Sequence, residues 1–276
     1  MHERLSTGRT VTGDAAEWGE IMKTVRQWRF TALEFRTLWE STGRDVLPYP
    51  LRHWFTTQYR SDSLRLRQAA ALAVRPQLDD DLVRAVHVLF APEARIELAG
   101  YLGASRDREL RAHAGVHDEH GALAVQEHSA DGYGDVTLTF LPAARVARAV
   151  VDVLPEYPAG QREPMTIPVE ELEGPLPAVR DAWRPTPREE FAKFFARPVR
   201  ASVHVGVYPL GSADNRHIKG RKDFQITDFE GDGRYVTFGS RMVVAKPTTR
   251  ERITATMHEM IGRTVEEVRA GDHLPR

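Results

Sequence analysis

The residues LFAPEAR, Leu89 to Arg95, are echoed by FFARPVR, Phe194 to Arg200. Phe90 aligns with Phe195, Ala91 with Ala196 and Arg95 with Arg200, each 105 positions further on. LPAAR, Leu141 to Arg145, keeps the same offset against KPTTR, Lys246 to Arg250, through Pro142 with Pro247 and Arg145 with Arg250. In both copies the order is apolar helix, break, strands, proline, amphipathic helix. This echo predicts two similar halves, about 25–160 and 161–262, arranged around a pseudo-two-fold axis.

Working outward, Leu82, Val83, Val86, Leu89 and Phe90 recur on one helical face that starts near Asp79 or Asp80 and stops at Pro92. Four strands follow, at Arg95 to Leu102, Glu109 to Val116, Ala122 to Glu127 and Val136 to Leu141, the last alternating apolar residues with Thr137 and Thr139. A helix then opens at Pro142. The second half repeats this with a helix bearing Phe191, Phe194 and Phe195 as its buried face. Its strands are Ala201 to Tyr208, Asp223 to Phe229, Arg234 to Phe238 and Met242 to Ala245. Its last helix carries Ile253, Met257, Met260 and Ile261. Short links make neighbouring strands antiparallel. The fold class is α+β, a sheet with helices gathered at its sides.

The outer parts of the pattern are a short strand, Val25 to Phe30, and a helix begun by the capping box of Thr31 and Glu34. The connector LPYPL, Leu47 to Leu51, and a helix at Ser63 to Val74 come next. Residues 155–187 are rich in proline, and Met165 to Val169 could pair as an edge strand. Thr186 with Glu189, and Thr248 with Glu251, predict two further capping boxes. Residues 1–24 read as a mobile polar segment and 263–276 as a charged tail, leaving 25–262 as one domain.

Composition narrows the function. Lys plus Arg number 38 and Asp plus Glu 39, a net charge of -1, without the basic excess of a dedicated nucleic-acid binder. The absence of cysteine excludes disulfides, thiolate ligands and a cysteine nucleophile. The N-terminal residues lack the apolar core of a secretory signal, and the longest aliphatic run nearby, Ala69 to Val74, is far too short to span a bilayer. The expectation is a cytoplasmic protein.

Catalytic chemistry is sparse. No GxSxG, P-loop or GxGxxG occurs. His113, His117, His120 and His128 cluster, and His113 and His117 would point the same way from a strand, so a metal-dependent enzyme is one alternative. Solvated strand and turn histidines are the simpler reading. Asp131, Asp135, Asp228 and Asp232 read as turn residues. The basic run His217 to Lys222 offers a second alternative, a regulatory nucleic-acid-binding module. Trp54, beside Phe55 and Tyr49, is a candidate partner anchor.

FTALEFRTLWESTGRDVLPYPL resembles the opening signature of the EspG family, through Thr31, Glu34, Phe35, Leu38, Trp39, Glu40, Gly43, Leu47, Pro48, Pro50 and Leu51. PEARIEL, the VLP..P.G pattern of Val153, Leu154, Pro155, Pro158 and Gly160, and the hairpin ending in Gly233, Arg234 and Tyr235 are similar to later family motifs, spread over about 25–262. The resemblance implies a central antiparallel sheet with two flanking helical bundles and quasi-two-fold symmetry. It implies a non-enzymatic cytosolic chaperone of type VII (ESX) secretion in actinobacteria, one that keeps a secreted PE–PPE heterodimer soluble. No cofactor, nucleic acid or membrane insertion is expected, and a homodimer is compatible. In the family the client is held by the loop between the second and third strands and by the C-terminal helical bundle. Here the loop is Gly103, Ala104, Ser105, Arg106, Asp107 and Arg108, and the candidates on the last helix are Ile253, Met257 and Met260. The longer linker Pro209 to Arg221 occupies the place of that loop in the second half, so the two loops are candidates for the asymmetry that one client requires.

Overall fold

The computed structural model describes residues 25–54, 59–130, 133–174, 185–211 and 220–271. Expectations for 1–24, for most of the linker after Pro209 and for the last five residues of the tail fall outside these; the tail expected from residue 263 is instead helical to Arg269 and packed, because Thr264 is buried and Glu267 and Arg269 pair with Lys222 and Glu93. The first half runs β1 (Arg26–Phe30), α1 (Ala32–Glu40), α2 (Arg60–Val74), α3 (Asp80–Phe90), β2 (Ala94–Leu102), β3 (Arg108–His117), β4 (His120–Gln126), β5 (Val136–Pro142) and α4 (Ala143–Asp152). The second runs β6 (Met165–Pro168), α5 (Val169–Glu173), α6 (Pro187–Phe195), β7 (Val199–Pro209), β8 (Lys222–Phe229), β9 (Gly233–Phe238), β10 (Met242–Pro247) and α7 (Arg250–Arg269).

Ten strands form one antiparallel sheet in the order β1-β5-β4-β3-β2-β7-β8-β9-β10-β6. Read outward from the central β2–β7 pair, the two wings have the same order: a four-stranded meander closed by a strand from the start of its half. In that central pair Ala99 lies opposite His204. These residues are themselves 105 positions apart, the offset of the sequence echo. The ends of α3 and α6, the starts of β2 and β7 and the ends of β5 and β10 all keep this spacing. The middle strands do not, because the β7–β8 connection is longer than β2–β3 and the β9–β10 connection shorter than β4–β5.

Strand alternation gives the sheet two different faces. One carries Ile96, Leu98, Ala112, Ala114, Val203, Val205, Phe224 and Ile226 against Val146 and Val150 of α4 and Ile253, Met257 and Ile261 of α7. On the other, α1–α3 pack over the first wing, with α3 lying on β3, β4 and β5, through Phe35, Trp39, Leu82, Val86 and Leu89 against Trp28, Ala124, Leu138 and Phe140. Phe194 of α6 packs with Phe229, Tyr235 and Ala245 over the second wing. These are the two bundles.

Local signals place the helices. The Thr31/Glu34 and Thr186/Glu189 capping boxes both form in full. The third differs: α7 is capped by the Thr249 hydroxyl, which accepts from Arg252 N. Thr248 is buried instead, with its backbone N–H donating to Arg234 O at 3.0 Å. Of the α6 phenylalanines only Phe194 is fully buried, with Phe191 and Phe195 half-buried. Asp228 is not a turn residue. It lies in β8, 1% exposed, held by both Nε and Nη2 of Arg234 at 2.7 Å. A neighbouring arginine can satisfy a strand aspartate, and composition alone does not distinguish that from a turn.

Candidate functional site

Between the two bundles one face of the sheet is polar: Arg95, Glu97 and His113 are buried beneath α1, α3 and the proline connector, and the floor opens beyond them at Tyr101, Ser202 and His204. It is built from the odd-numbered residues of β2 and β3 and the even-numbered residues of β7, which alternation turns to the same side. Arg95, Glu97, Glu109, Arg111, His113, Ser202, His204 and Tyr208 all lie there. The deepest are paired. Arg95 Nε donates to Glu97 Oε1 at 2.8 Å, and its Nη1 donates to Leu210 O at 2.8 Å while the guanidinium stacks on Tyr208. Burial raises the Glu97 carboxyl above its ordinary range, against the opposing pull of Arg95. Nearer the surface, Arg111 contacts Glu109, and His204 Nε2 lies 3.0 Å from Asp223 Oδ2. Burial and the charge of Arg52 lower the Arg111 guanidinium.

The proline connector forms one bank of this saddle, and buried polar side chains pin it there. His113 Nδ1 is 2.7 Å from Tyr49 O. A carbonyl can only accept, so Nδ1 carries the proton. Gln126, 3% exposed, accepts from Arg52 N at 2.9 Å and donates from Nε2 to Arg52 O at 2.7 Å. Its amide thus substitutes for a strand partner along the connector. Two contiguous cavities result. One of about 270 Å³ lies between Tyr49, Pro50 and Arg52 on one side and Ser202, His204 and Gln225 on the other. The second, about 380 Å³, shares Arg52, Tyr101, Glu109 and Arg111 and extends to Trp54, Arg106, Asp107 and Tyr133.

The expected β2–β3 loop therefore stands at the mouth of the saddle. Gly103 takes φ +87, a conformation that favours glycine, and its N–H donates to Arg200 O at 2.7 Å. Ala104, Ser105, Arg106, Asp107 and Arg108 are exposed. Trp54 (66% exposed) and Tyr101 (44%) flank them. Phe55, the other aromatic expected there, lies outside the described residues.

The last-helix candidates are elsewhere. Ile253 and Met257 face the sheet from its opposite side and are buried in the core. Met260 is half-buried on that same far side. The sheet separates these three from the loop, so the two candidate groups do not form one surface. The residues that line the saddle with the loop are Tyr101, Arg111, Ser202, His204 and Gln225. The signal for them was present as polar residues at alternate positions of otherwise apolar strands.

The histidines do not converge. His113 is buried rather than solvated, because it is used to hold the connector. His117 Nδ1 is 2.8 Å from Ala91 O, His120 stacks on Phe140, and His128 Nδ1 accepts from Glu109 N. Among the described residues no group of three or more His, Cys, Asp or Glu could hold a metal ion. Of the basic run, His217, Ile218 and Lys219 lie outside the described residues. Arg221 pairs with Asp223 and Lys222 with Glu267. No helix among the described residues is long and apolar enough to cross a membrane.

A protein-family model described as the EspG family matches residues 31–259. Among solved structures, the chain is similar in fold to the Mycobacterium tuberculosis type VII secretion system chaperone EspG5 in complex with the PE25-PPE41 dimer. The TM-score is 0.56 at 14% sequence identity, with 91% of this chain and 97% of that one covered. No curated protein matches in sequence.

Proposed function

The chain belongs to the EspG family, and from that premise we propose that it is a non-enzymatic chaperone of a type VII secretion system. It acts in the cytoplasm and keeps a PE–PPE-like helical heterodimer soluble before export. The client's tip docks in the saddle against the loop Gly103–Arg108, and the two halves of the domain supply its two banks.

The observation that carries this reading is the saddle itself: a polar floor left open between two bundles, flanked by exposed Trp54 and Tyr101. Aromatic anchors set among hydrogen-bonding groups are typical of reversible recognition surfaces. The complex formed by the structural neighbour supports a client of the same kind.

Co-expression with the PE–PPE pair encoded nearest to this protein tests the proposal. The expected result is a soluble complex that co-elutes in gel filtration and is lost in the Trp54→Ala/Tyr101→Ala double variant. A client that stays insoluble beside every such neighbour would refute it.

A further inference from the structure

The helices α4 and α7 follow the last strand of their respective meanders, yet they sit differently. α4 lies over β3, β4 and β5 of its own half. The counterpart strands are β8, β9 and β10. α7 instead lies chiefly over β7 and β2 and against α4, displaced toward the middle of the sheet. This leaves the outer strands of the second half open on the face opposite the saddle. The space is a cleft of about 770 Å³ between α7 and β8–β10.

Its chemistry is specific. Phe224 and Val236 form the floor, with Phe238 (37% exposed) and Met260 beside them. Met242, 44% exposed, and half-buried Val244 extend the apolar surface along β10. The acids at the cleft already have cations: Glu259 pairs with Arg263, and Asp223 with His204 and Arg221. Lys222 is taken by Glu267. Two cations have no carboxylate among the described residues. Lys246 Nζ sits 5.0 Å over the Phe238 ring, and the Arg252 guanidinium, exposed at the start of α7, makes no ion pair. An apolar floor with two uncompensated positive charges on its rim is complementary to an apolar face bearing acids. The cleft runs along α7 from Arg252 to Arg263, roughly 16 Å at 1.5 Å per helical residue. That length fits about three turns of a docked helix.

We propose that this cleft is a second docking site, separate from the saddle, for an acidic amphipathic helix of a partner protein other than the client. Because the sheet lies between the two sites, both partners can be held at once. The chaperone then acts as an adaptor as well as a cover.

The test uses the full chain and two fluorescently labelled model peptides with one leucine face, one flanked by glutamates and the other by lysines. Fluorescence anisotropy should show the glutamate peptide binding at least tenfold more tightly. The Lys246→Glu/Arg252→Glu variant should reverse that order while client binding in the saddle is kept, which makes the result independent of the client proposal. Hydrogen exchange should slow along residues 252–263 and in β9 and β10 when the glutamate peptide binds. Equal binding of the two peptides, an unchanged preference in the variant, or protection confined to the saddle would overturn the proposal. Self-association of the unliganded chain that the same variant abolishes would assign the cleft to a second copy and overturn it as well.

Discussion

The Nδ1 of His113 lies 2.7 Å from the carbonyl oxygen of Tyr49, so a buried sheet histidine holds down the proline connector. Burial lowers this imidazole from 6.5 to about 4. The folded value lies below the ordinary one, so the neutral ring's contribution is complete above pH 6.5. It is lost as pH falls from 6.5 toward 4. At pH 5 the loss is about 2 kcal/mol. Urea unfolding at pH 7.5 and pH 5 should show His113→Asn losing about 2 kcal/mol less than the parent protein over that interval. An equal loss in both proteins would contradict the assignment.

Gln126→Ala removes both hydrogen bonds to the Arg52 backbone. Leaving those groups unpaired costs about 1–3 kcal/mol. Hydrogen exchange in residues 47–54 should accelerate more than in α7, which lies on the other face. A uniform change across the molecule would show that the amide does not act on the connector.

The buried Arg234–Asp228 pair closes the β8–β9 hairpin, and Arg234 Nη2 also donates to Pro155 O at 2.8 Å. Asp228→Ala leaves a buried guanidinium uncompensated and should cost about 3–5 kcal/mol. Replacing both residues by apolar ones, Asp228→Leu with Arg234→Met, should cost less than that single change. Chemical denaturation of the single and double variants gives the comparison.

Gly100 lies where the two halves meet. A Cβ there would fall 2.3 Å from Ser202 O and 2.6 Å from Val203 Cα. Gly100→Ala must part β2 from β7 and should destabilise by about 3 kcal/mol. Gly262, inside α7, meets nothing within 4 Å. Gly262→Ala should therefore stabilise by about 0.5–1 kcal/mol. Thermal unfolding of the two variants should move in opposite directions.

Trp54 and Tyr101 are exposed, so Trp54→Ala and Tyr101→Ala should each leave the unfolding free energy within about 0.5 kcal/mol of the parent. Each should weaken the client complex at least tenfold by titration calorimetry. A loss of stability with unchanged affinity would mean that these rings serve packing.

Much of the architecture was legible because its causes are local. Helical periodicity at Leu82, Val86 and Leu89, alternation at Val136–Phe140 and the hydroxyl-to-glutamate spacing at Thr31 and Thr186 are encoded within a few residues, whereas Val83, read onto the same helical face, is exposed. The element order and the 105-residue echo follow from them. The α7 cap was missed by one residue because Thr248 and Thr249 are both competent, and only the strand contact of Thr248 with Arg234 decides between them.

The sequence by itself determined the elements, their order, the antiparallel sheet and the family signatures, since each rests on spacing along the chain. Only the tertiary structure decided which side of the sheet each group reached. Alternation tells which residues of a strand share a face, but not which helices will cover it. Hence the loop at Gly103 and the α7 residues Ile253, Met257 and Met260, grouped together by sequence, lie across the sheet from each other. The displacement of α7 toward β2 and the capture of the connector by His113 and Gln126 are long-range packing outcomes. They set the saddle and the cleft, and no local pattern encodes them.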